Sequence, residues 1–224
     1  MQSLWWRVIR YGFYLLYHPL AWTYDLVSGV VSLGVWREWQ RAGLRFIDPK
    51  GLTLDLAHGT GNLQLDLHAQ STPTVGLDYS PQMGRIAQRK LHDLLSVAQL
   101  VRGEGENLPF ADATFQNVIS TFPTNFIFLP ETLRGIHRVL KPDGVLVIVP
   151  SSAFTSGGLL RRILEFAYRV TGQKSGESES AETILEGEMS HYIRKYGFTV
   201  RVEQVVCPHS VAFVVIARKQ GIAS

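Results

Sequence analysis

The chain has almost no cysteine: Cys207 stands alone among 224 residues. That excludes an intrachain disulfide and any zinc site built from several thiolates. Cys207 falls in an apolar, strand-like run and reads as a packing residue. Long apolar runs are missing as well. No stretch reaches the roughly 18 apolar residues that a membrane-crossing helix needs. The N-terminal apolar residues are not followed by a small-residue cleavage site of the signal-peptide kind. The expected location is therefore cytoplasmic. Charge is sparse, at 18% of residues with a net value of +3, although the pI is about 9.1. No continuous basic stripe with interleaved aromatics appears, so no nucleic-acid partner is expected. No His/Asp/Glu cluster has ligand spacing, so no metal is expected either. What the chain does have is hydrophobic residues, 46% of the total, enough for one full core.

One stretch organises the rest: Leu52-Thr53-Leu54-Asp55-Leu56-Ala57-His58-Gly59-Thr60-Gly61-Asn62-Leu63. It reads as a buried strand, a tight glycine turn and the start of a helix. Gly59 and Gly61 allow a ligand to approach the backbone where a side chain would block it. A dinucleotide fingerprint would need a third glycine, and Gln64 stands there, so that pattern fails. The other pattern is an acid at the strand end followed by small residues at every second position. Asp55, Ala57, Gly59 and Gly61 fit it.

Further blocks follow in order. Thr74 to Asp78 is a short apolar strand ending in an acid, 17 residues past Gly61. That is about the distance at which a βαβ unit returns to the same sheet edge. Ser80-Pro81 then supplies an N-cap and a first helical residue. Gln99 to Val101 reads as a third strand leading into Gly103-Glu104-Gly105-Glu106-Asn107-Leu108-Pro109-Phe110, and Asn117 to Thr121 reads as a fourth. A helix over 133–140 runs into Arg138-Val139-Leu140-Lys141-Pro142-Asp143-Gly144, which turns into a strand over 145–149. Later come a basic helix over 159–170, a polar Gly/Ser/Glu-rich stretch over 171–180 and a helix over 182–196. Two strands close the chain, from Phe198 to Val206 and from Val211 to Ala217; so short a connection makes them antiparallel.

Taken together, these blocks resemble a class I S-adenosylmethionine-dependent methyltransferase. The stretch from Tyr24-Asp25 to Trp36-Arg37-Glu38-Trp39 is similar to the N-terminal signature of the ubiquinone/menaquinone biosynthesis methyltransferases. The resemblance implies an α/β Rossmann-like seven-stranded sheet. It would be mostly parallel with an antiparallel C-terminal hairpin strand, helices on both faces and extra N-terminal helices. It implies two parts: residues 1–48 as a helical extension (substrate lid or membrane-surface contact) and 49–224 as the donor-binding domain. It implies S-adenosyl-L-methionine as cofactor. The implied contacts are Asp55, Ala57, His58, Gly59 and Gly61 around the turn, Asp78 on the ribose, Tyr79 and Met83 on the adenine plane, Glu104 and Gly105 at its amino edge, and the Thr121 carbonyl. The family's usual glycine, aspartate and alanine are replaced here by Ala57, Glu104 and Gly105. Trp36 and Trp39 read as core residues.

The acceptor is less defined. An aromatic, apolar N-terminus and a basic helix favour a small hydrophobic molecule, such as a quinone precursor or lipid. The alternatives are a protein, RNA or polar-metabolite acceptor, or a non-catalytic donor-binding scaffold. Methylation of a phenol, an alcohol or a ring carbon calls for a general base. His58, His18, His191 and His209 are the histidines considered for it, and Tyr24 is a candidate substrate-side contact. Residues 3–17 can form an amphipathic helix with Trp5, Trp6, Arg7 and Arg10. It would dock over the site or lie at a membrane surface.

Overall fold

A computed structural model describes residues 20–92, 99–155, 187 and 189–220. The expectations for residues 3–17, His18, 159–170 and 171–180, and the first part of the helix expected over 182–196 (182–186 and 188), lie outside the described residues. Seven strands form one sheet: β1 (Thr53–Leu56), β2 (Thr74–Asp78), β3 (Gln99–Arg102), β4 (Phe115–Thr121), β5 (Leu140–Phe154), β6 (Phe198–Cys207) and β7 (Ser210–Lys219). Their spatial order is β3-β2-β1-β4-β5-β7-β6. The pairs from β3 across to β5 are parallel, and β7 is antiparallel to both β5 and β6. This is the sheet that the sequence predicts.

The described helices are α1 (Tyr24–Val31), α2 (Trp36–Ala42), α3 (Asn62–Ala69), α4 (Pro81–Lys90), α5 (Pro130–Val139) and α6 (Ser190–Arg194). The order reverses at β1, with β2 on one side and β4 on the other, and such a switch point opens a crevice at the strand ends. All four residues of β1 are buried, as expected of a central parallel strand covered on both faces.

Period-two alternation divides β5 between two hydrophobic layers. Leu146 and Ile148 face a layer shared with Leu133 and Ile136 of α5. Val145, Val147 and Val149 face the opposite layer, with Trp39 and Ala42 of α2 and with Leu44. The described part of the N-terminal segment is therefore a layer of the core. Trp39 is 1% exposed and donates its indole N–H to Ser210 Oγ at 2.9 Å, so its reading as core holds.

The boundaries of α5 and β5 differ from expectation. α5 begins at Pro130, where a missing N–H costs no helical hydrogen bond. β5 begins at Leu140, because Phe115 pairs with Leu140 before the register shifts and Asn117 pairs with Val145. The Lys-Pro-Asp-Gly segment is thus an irregularity within a strand. Arg138 supports the loop before β4, donating to the carbonyls of Phe110 and Leu108 at 2.7 and 2.9 Å and pairing with Asp112 at 2.8 Å.

Candidate functional site

The glycine turn sits at the C-terminal end of β1. Ala57 and His58 both donate backbone N–H groups to the Leu77 carbonyl, which ties the turn to β2. Ala57, Gly59 and Gly61 all have positive φ, at 64°, 54° and 82°. The two glycines have different jobs. A Cβ on Gly61 would lie 2.9 Å from the Cβ of Ala87 and 3.2 Å from its Cα, so Gly61 lets α4 pack against the turn. A Cβ on Gly59 would meet nothing within 4 Å. The space over Gly59 is open, and its backbone is exposed to whatever fills that space. Ala57 carries a side chain in a conformation suited to glycine, a local strain of about 1 kcal/mol.

Asp78 stands beside this opening at the end of β2. Its Oδ2 accepts the Gly59 N–H at 2.8 Å and its Oδ1 accepts the Ser80 N–H at 2.8 Å. Two backbone donors fix the carboxylate and leave each oxygen a further lone pair. The Gly103 N–H donates to the Asp78 carbonyl at 3.1 Å, bringing the Glu104 loop to the same edge. Glu104 is exposed. Gly105 is buried, and a Cβ there would lie 2.6 Å from the Phe126 ring. The replacement of alanine by glycine at 105 therefore answers to packing. Tyr79 is 57% exposed, so its ring is accessible at the strand end. Met83 is 1% exposed and packs in the core beneath α4. Ser80 caps α4, its Oγ accepting the Met83 N–H at 3.2 Å.

Asp55 and His58 face inward. Asp55 is fully buried and accepts the Gln64 Nε2 hydrogen at 3.0 Å. Burial raises its pKa to about 7; the Gln64 hydrogen bond opposes the rise and the charge of Asp78 adds to it. Gln64, which breaks the dinucleotide pattern, is thus the partner of the strand-end acid. The His58 ring packs over Gly76, where an added Cβ would come within 2.9 Å of His58 Cδ2 and 3.2 Å of Gln64 Nε2. His58 Nδ1 lies 2.9 Å from the Gly59 carbonyl, which can only accept, so Nδ1 carries the proton. Burial lowers the His58 pKa against the opposing charge of Asp78. A buried neutral imidazole bonded to its own turn acts here as a strut.

α1 clasps the outside of the turn. Asp25 Oδ1 accepts from Thr60 Oγ1 at 2.7 Å and from Asn62 Nδ2 at 3.0 Å, while Asp25 Oδ2 pairs with Lys90 Nζ. Lys90 also donates to Thr60 Oγ1 and Asn62 Oδ1 at 3.0 and 2.7 Å. Burial would raise the Asp25 pKa, but Lys90, Thr60 and Asn62 together hold it below the usual carboxylate value. The Asp of the Tyr24-Asp25 pair is thus a structural clasp, a role invisible without the fold.

The exit of β4 forms the other wall. Phe122 stacks on Trp36 with ring centroids 4.2 Å apart, and Tyr24, Trp39 and Phe154 extend the aromatic cluster. Thr121 Oγ1 accepts from Gln40 Nε2 at 3.1 Å. His191 and His209 lie elsewhere, on α6 and in the β6–β7 turn. No group of three or more potential metal ligands occurs among the described residues.

The geometry fits the nucleoside donor that the resemblance implies: an open glycine, a fixed carboxylate with spare lone pairs and an exposed aromatic ring at one sheet edge. Comparisons with known proteins identify the family. Two curated relatives are ubiquinone/menaquinone biosynthesis C-methyltransferases UbiE. That of Citrifermentans bemidjiense is 32% identical over 148 residues, 62% of this chain and 63% of the relative. That of Blochmanniella pennsylvanica is 35% identical over 142 residues, 60% and 56% of the two chains. The chain thus spans 56–63% of the length of these relatives. A crystal structure from Methanococcus maripaludis, assigned as an S-adenosyl-L-methionine-dependent methyltransferase, shares the fold, with a TM-score of 0.64 and 21% identity over 90% of this chain and 93% of that one. The model of the ubiE/COQ5 methyltransferase family matches residues 14–173, from before the α1 clasp to beyond β5, and the chain belongs to that family.

Proposed function

We propose that the protein is an S-adenosylmethionine-dependent methyltransferase acting on a small hydrophobic acceptor of the quinone-precursor kind. The observation that carries the reading is the open Gly59 backbone locked to the Asp78 carboxylate. When bound, the donor supplies an activated sulfonium methyl for in-line displacement. Asp78 holds the ribose hydroxyls, the Gly59 backbone gives close approach, Tyr79 covers the base and Glu104 reaches its amino edge. The Thr121 carbonyl takes the donor's ammonium. Asp55, through Gln64, and His58 support the turn from within. Positioning two reactants in line contributes on the order of 7–11 kcal/mol to such a reaction. The aromatic cluster at the β4 exit supports an apolar acceptor. No general base is assigned: His58 is buried and bonded to its own turn, and His191 and His209 lie away from it.

A peripheral membrane contact belongs to the same reading. Trp22, Leu26 and Val30 are 73%, 68% and 65% exposed at four-residue spacing on and beside α1. Ser28, on the other side of that helix, is buried. The preceding Trp5, Trp6, Arg7 and Arg10 have the composition of an anionic-membrane interface. A lipid-phase acceptor would then enter beside the turn that Asp25 clasps. Calorimetric titration with S-adenosylmethionine tests the donor site; no heat at millimolar donor would refute it. Incubation with labelled donor and cell lipid extract, followed by isolation of the labelled product, tests the acceptor class.

A further inference from the structure

The inward rows of the two C-terminal strands end in arginines. On β7, Ala212, Val214 and Ile216 lie in the apolar layer shared with α2, and the next residue of that alternation is Arg218. On β6, Val205 lies in the same layer, and the alternation runs back through Glu203 to Arg201. The strand register gives the same face. Arg218 pairs with Val145 of β5, a residue of that layer, and with Thr199 of β6, two residues from Arg201. Leu44 joins the layer from the 3-10 turn Gly43–Phe46 that follows α2, and this turn carries Arg45.

Arg45, Arg201 and Arg218 line one cavity of about 250 Å3. Buried Asn117 fixes its floor: Oδ1 accepts the Asp48 N–H at 3.0 Å and Nδ2 donates to the Asp48 carbonyl at 2.9 Å, which pins the chain after the turn to the sheet. Arg201 is oriented, its guanidinium carbon 5.8 Å from the centroid of the Phe46 ring and its Nη1 paired with Glu203 at 3.0 Å. An exposed pair of this kind is weak and leaves other guanidinium N–H groups to donate. The side chains of Arg45 and Arg218 make no hydrogen bond or ion pair among the described residues. Asp48 also lines the cavity, its Oδ1 accepting the Lys50 N–H at 3.0 Å. Three guanidinium groups against the carboxylates of Asp48 and Glu203 leave an excess of positive charge, and a recess lined by one sign of charge concentrates ions of the other. The cavity lies at the end of the sheet away from the glycine turn. Val145 pairs with Asn117, and Asn117 with Thr53 at the start of β1, whereas the turn follows Leu56 at its end.

We propose that this cavity binds a small, soluble phosphorylated molecule, at the sheet end opposite the donor crevice. Arginine forks match the spacing of phosphate oxygens and donate charge-assisted hydrogen bonds to them. A phosphoryl group offers three terminal oxygens to donors that arrive from three separate segments, and a carboxylate offers only two. Pockets for drug-sized ligands occupy roughly 300–1,000 Å3, so a cavity of about 250 Å3 selects a smaller one. The exposed row on α1 lies with the glycine turn that Asp25 clasps, at the other end of the sheet, so this cavity takes its ligand from solution. The inference goes beyond the methyltransferase reading and does not rest on it.

The test titrates the full chain by calorimetry with glycerol 3-phosphate and, at matched ionic strength, with acetate. The phosphate ester should bind at least about tenfold more tightly than acetate. Arg45→Gln and Arg218→Gln should each weaken it by about tenfold or more. Both side chains belong to exposed residues, so the melting temperature should stay within a few degrees. Arg85→Gln, an equal loss of charge at an exposed position of α4, should leave binding unchanged. Saturating S-adenosylmethionine should not displace the ester, and neither should vesicles containing phosphatidic acid. Absence of binding by the unaltered chain at millimolar ester, or equal binding of ester and acetate, overturns the proposal without relying on any variant's folding. An equal loss in Arg85→Gln, or displacement by the donor or by the vesicles, overturns it as well. Donor binding by the same chain is read separately and alone decides the methyltransferase reading.

Discussion

The backbone N–H of Gly59 donates to Asp78 Oδ2 at 2.8 Å, joining the ends of β1 and β2 at the crevice where the sheet order reverses. Asp78 also accepts from the Ser80 N–H, so its carboxylate is held by one donor from each side. Asp78→Asn can satisfy only one of them, since an amide nitrogen turned toward an N–H repels it. An unpaired donor of this kind costs about 1–3 kcal/mol. Affinity for S-adenosylmethionine should therefore fall by about ten- to a hundredfold in calorimetry. A variant that binds the donor as the unaltered chain does would remove Asp78 from the site.

Gly59 and Gly61 give a paired prediction. Gly59→Ala adds a methyl group to open space at positive φ, so its cost to the fold should be no more than about 1 kcal/mol. The same methyl blocks backbone approach, so donor binding should drop sharply while the melting temperature stays within a few degrees. Gly61→Ala meets the Ala87 backbone and should lower stability by about 1–3 kcal/mol. Thermal unfolding together with donor titration separates the two, and reversed phenotypes would contradict the division of roles.

Much of this site was legible in the chain. Asp55, the Gly59–Gly61 turn, the Asp78 strand end and the Glu104 loop are contiguous motifs, and the fold brings their predicted strand ends to one edge. Contacts made between distant segments were not legible. Asp25 reaching Thr60 and Lys90, Arg138 stapling the 108–112 loop and Gln40 meeting Thr121 depend on tertiary packing, which local spacing does not encode. The burial of Met83, at 1% exposure, likewise follows from tertiary packing of α4 and not from its place in the motif.

Asp55 makes stability depend on pH. Its pKa rises from an ordinary carboxylate value to about 7 on folding, so the folded state holds the proton more tightly. Its favourable contribution is complete below about pH 4 and is lost as pH rises toward 7. A shift of this size corresponds to an order of a few kcal/mol. His58 acts with the opposite sign. Its lowered pKa means stability is lost as pH falls below the unfolded value near 6.5. Asp55→Asn removes the first effect and should leave the second. Denaturant titrations between pH 5 and 8 should then show the variant gaining stability relative to the unaltered chain as pH rises. A constant difference across that range would mean that Asp55 is ionised throughout.

Ala57 provides a test in the stabilising direction. It sits at φ 64°, where glycine bears no steric cost. Glycine also gains unfolded-state entropy, which offsets part of the relief. Ala57→Gly should therefore be neutral to stabilising by up to about 1 kcal/mol in denaturant titration, unlike glycine substitutions in regular structure. A loss beyond about 1 kcal/mol would show that the Ala57 methyl is needed for packing.

The row Trp22, Leu26 and Val30 allows the membrane contact to be tested without disturbing the core, because all three side chains are more than half exposed. Replacing them together by serine in the full chain should leave the melting temperature within a few degrees. Burying each side chain in a membrane interface contributes about 1–2 kcal/mol, so the triple variant should partition at least about a hundredfold less onto vesicles. Vesicles of phosphatidylglycerol and phosphatidylethanolamine supply the anionic surface that Arg7 and Arg10 would favour, and raising the salt concentration should weaken binding further. Equal co-sedimentation of variant and unaltered chain would exclude α1 as the contact. Loss of sedimentation with retained turnover of a water-soluble acceptor would separate delivery of the acceptor from methyl transfer itself, since Asp25 would still hold the turn from the other flank of the helix.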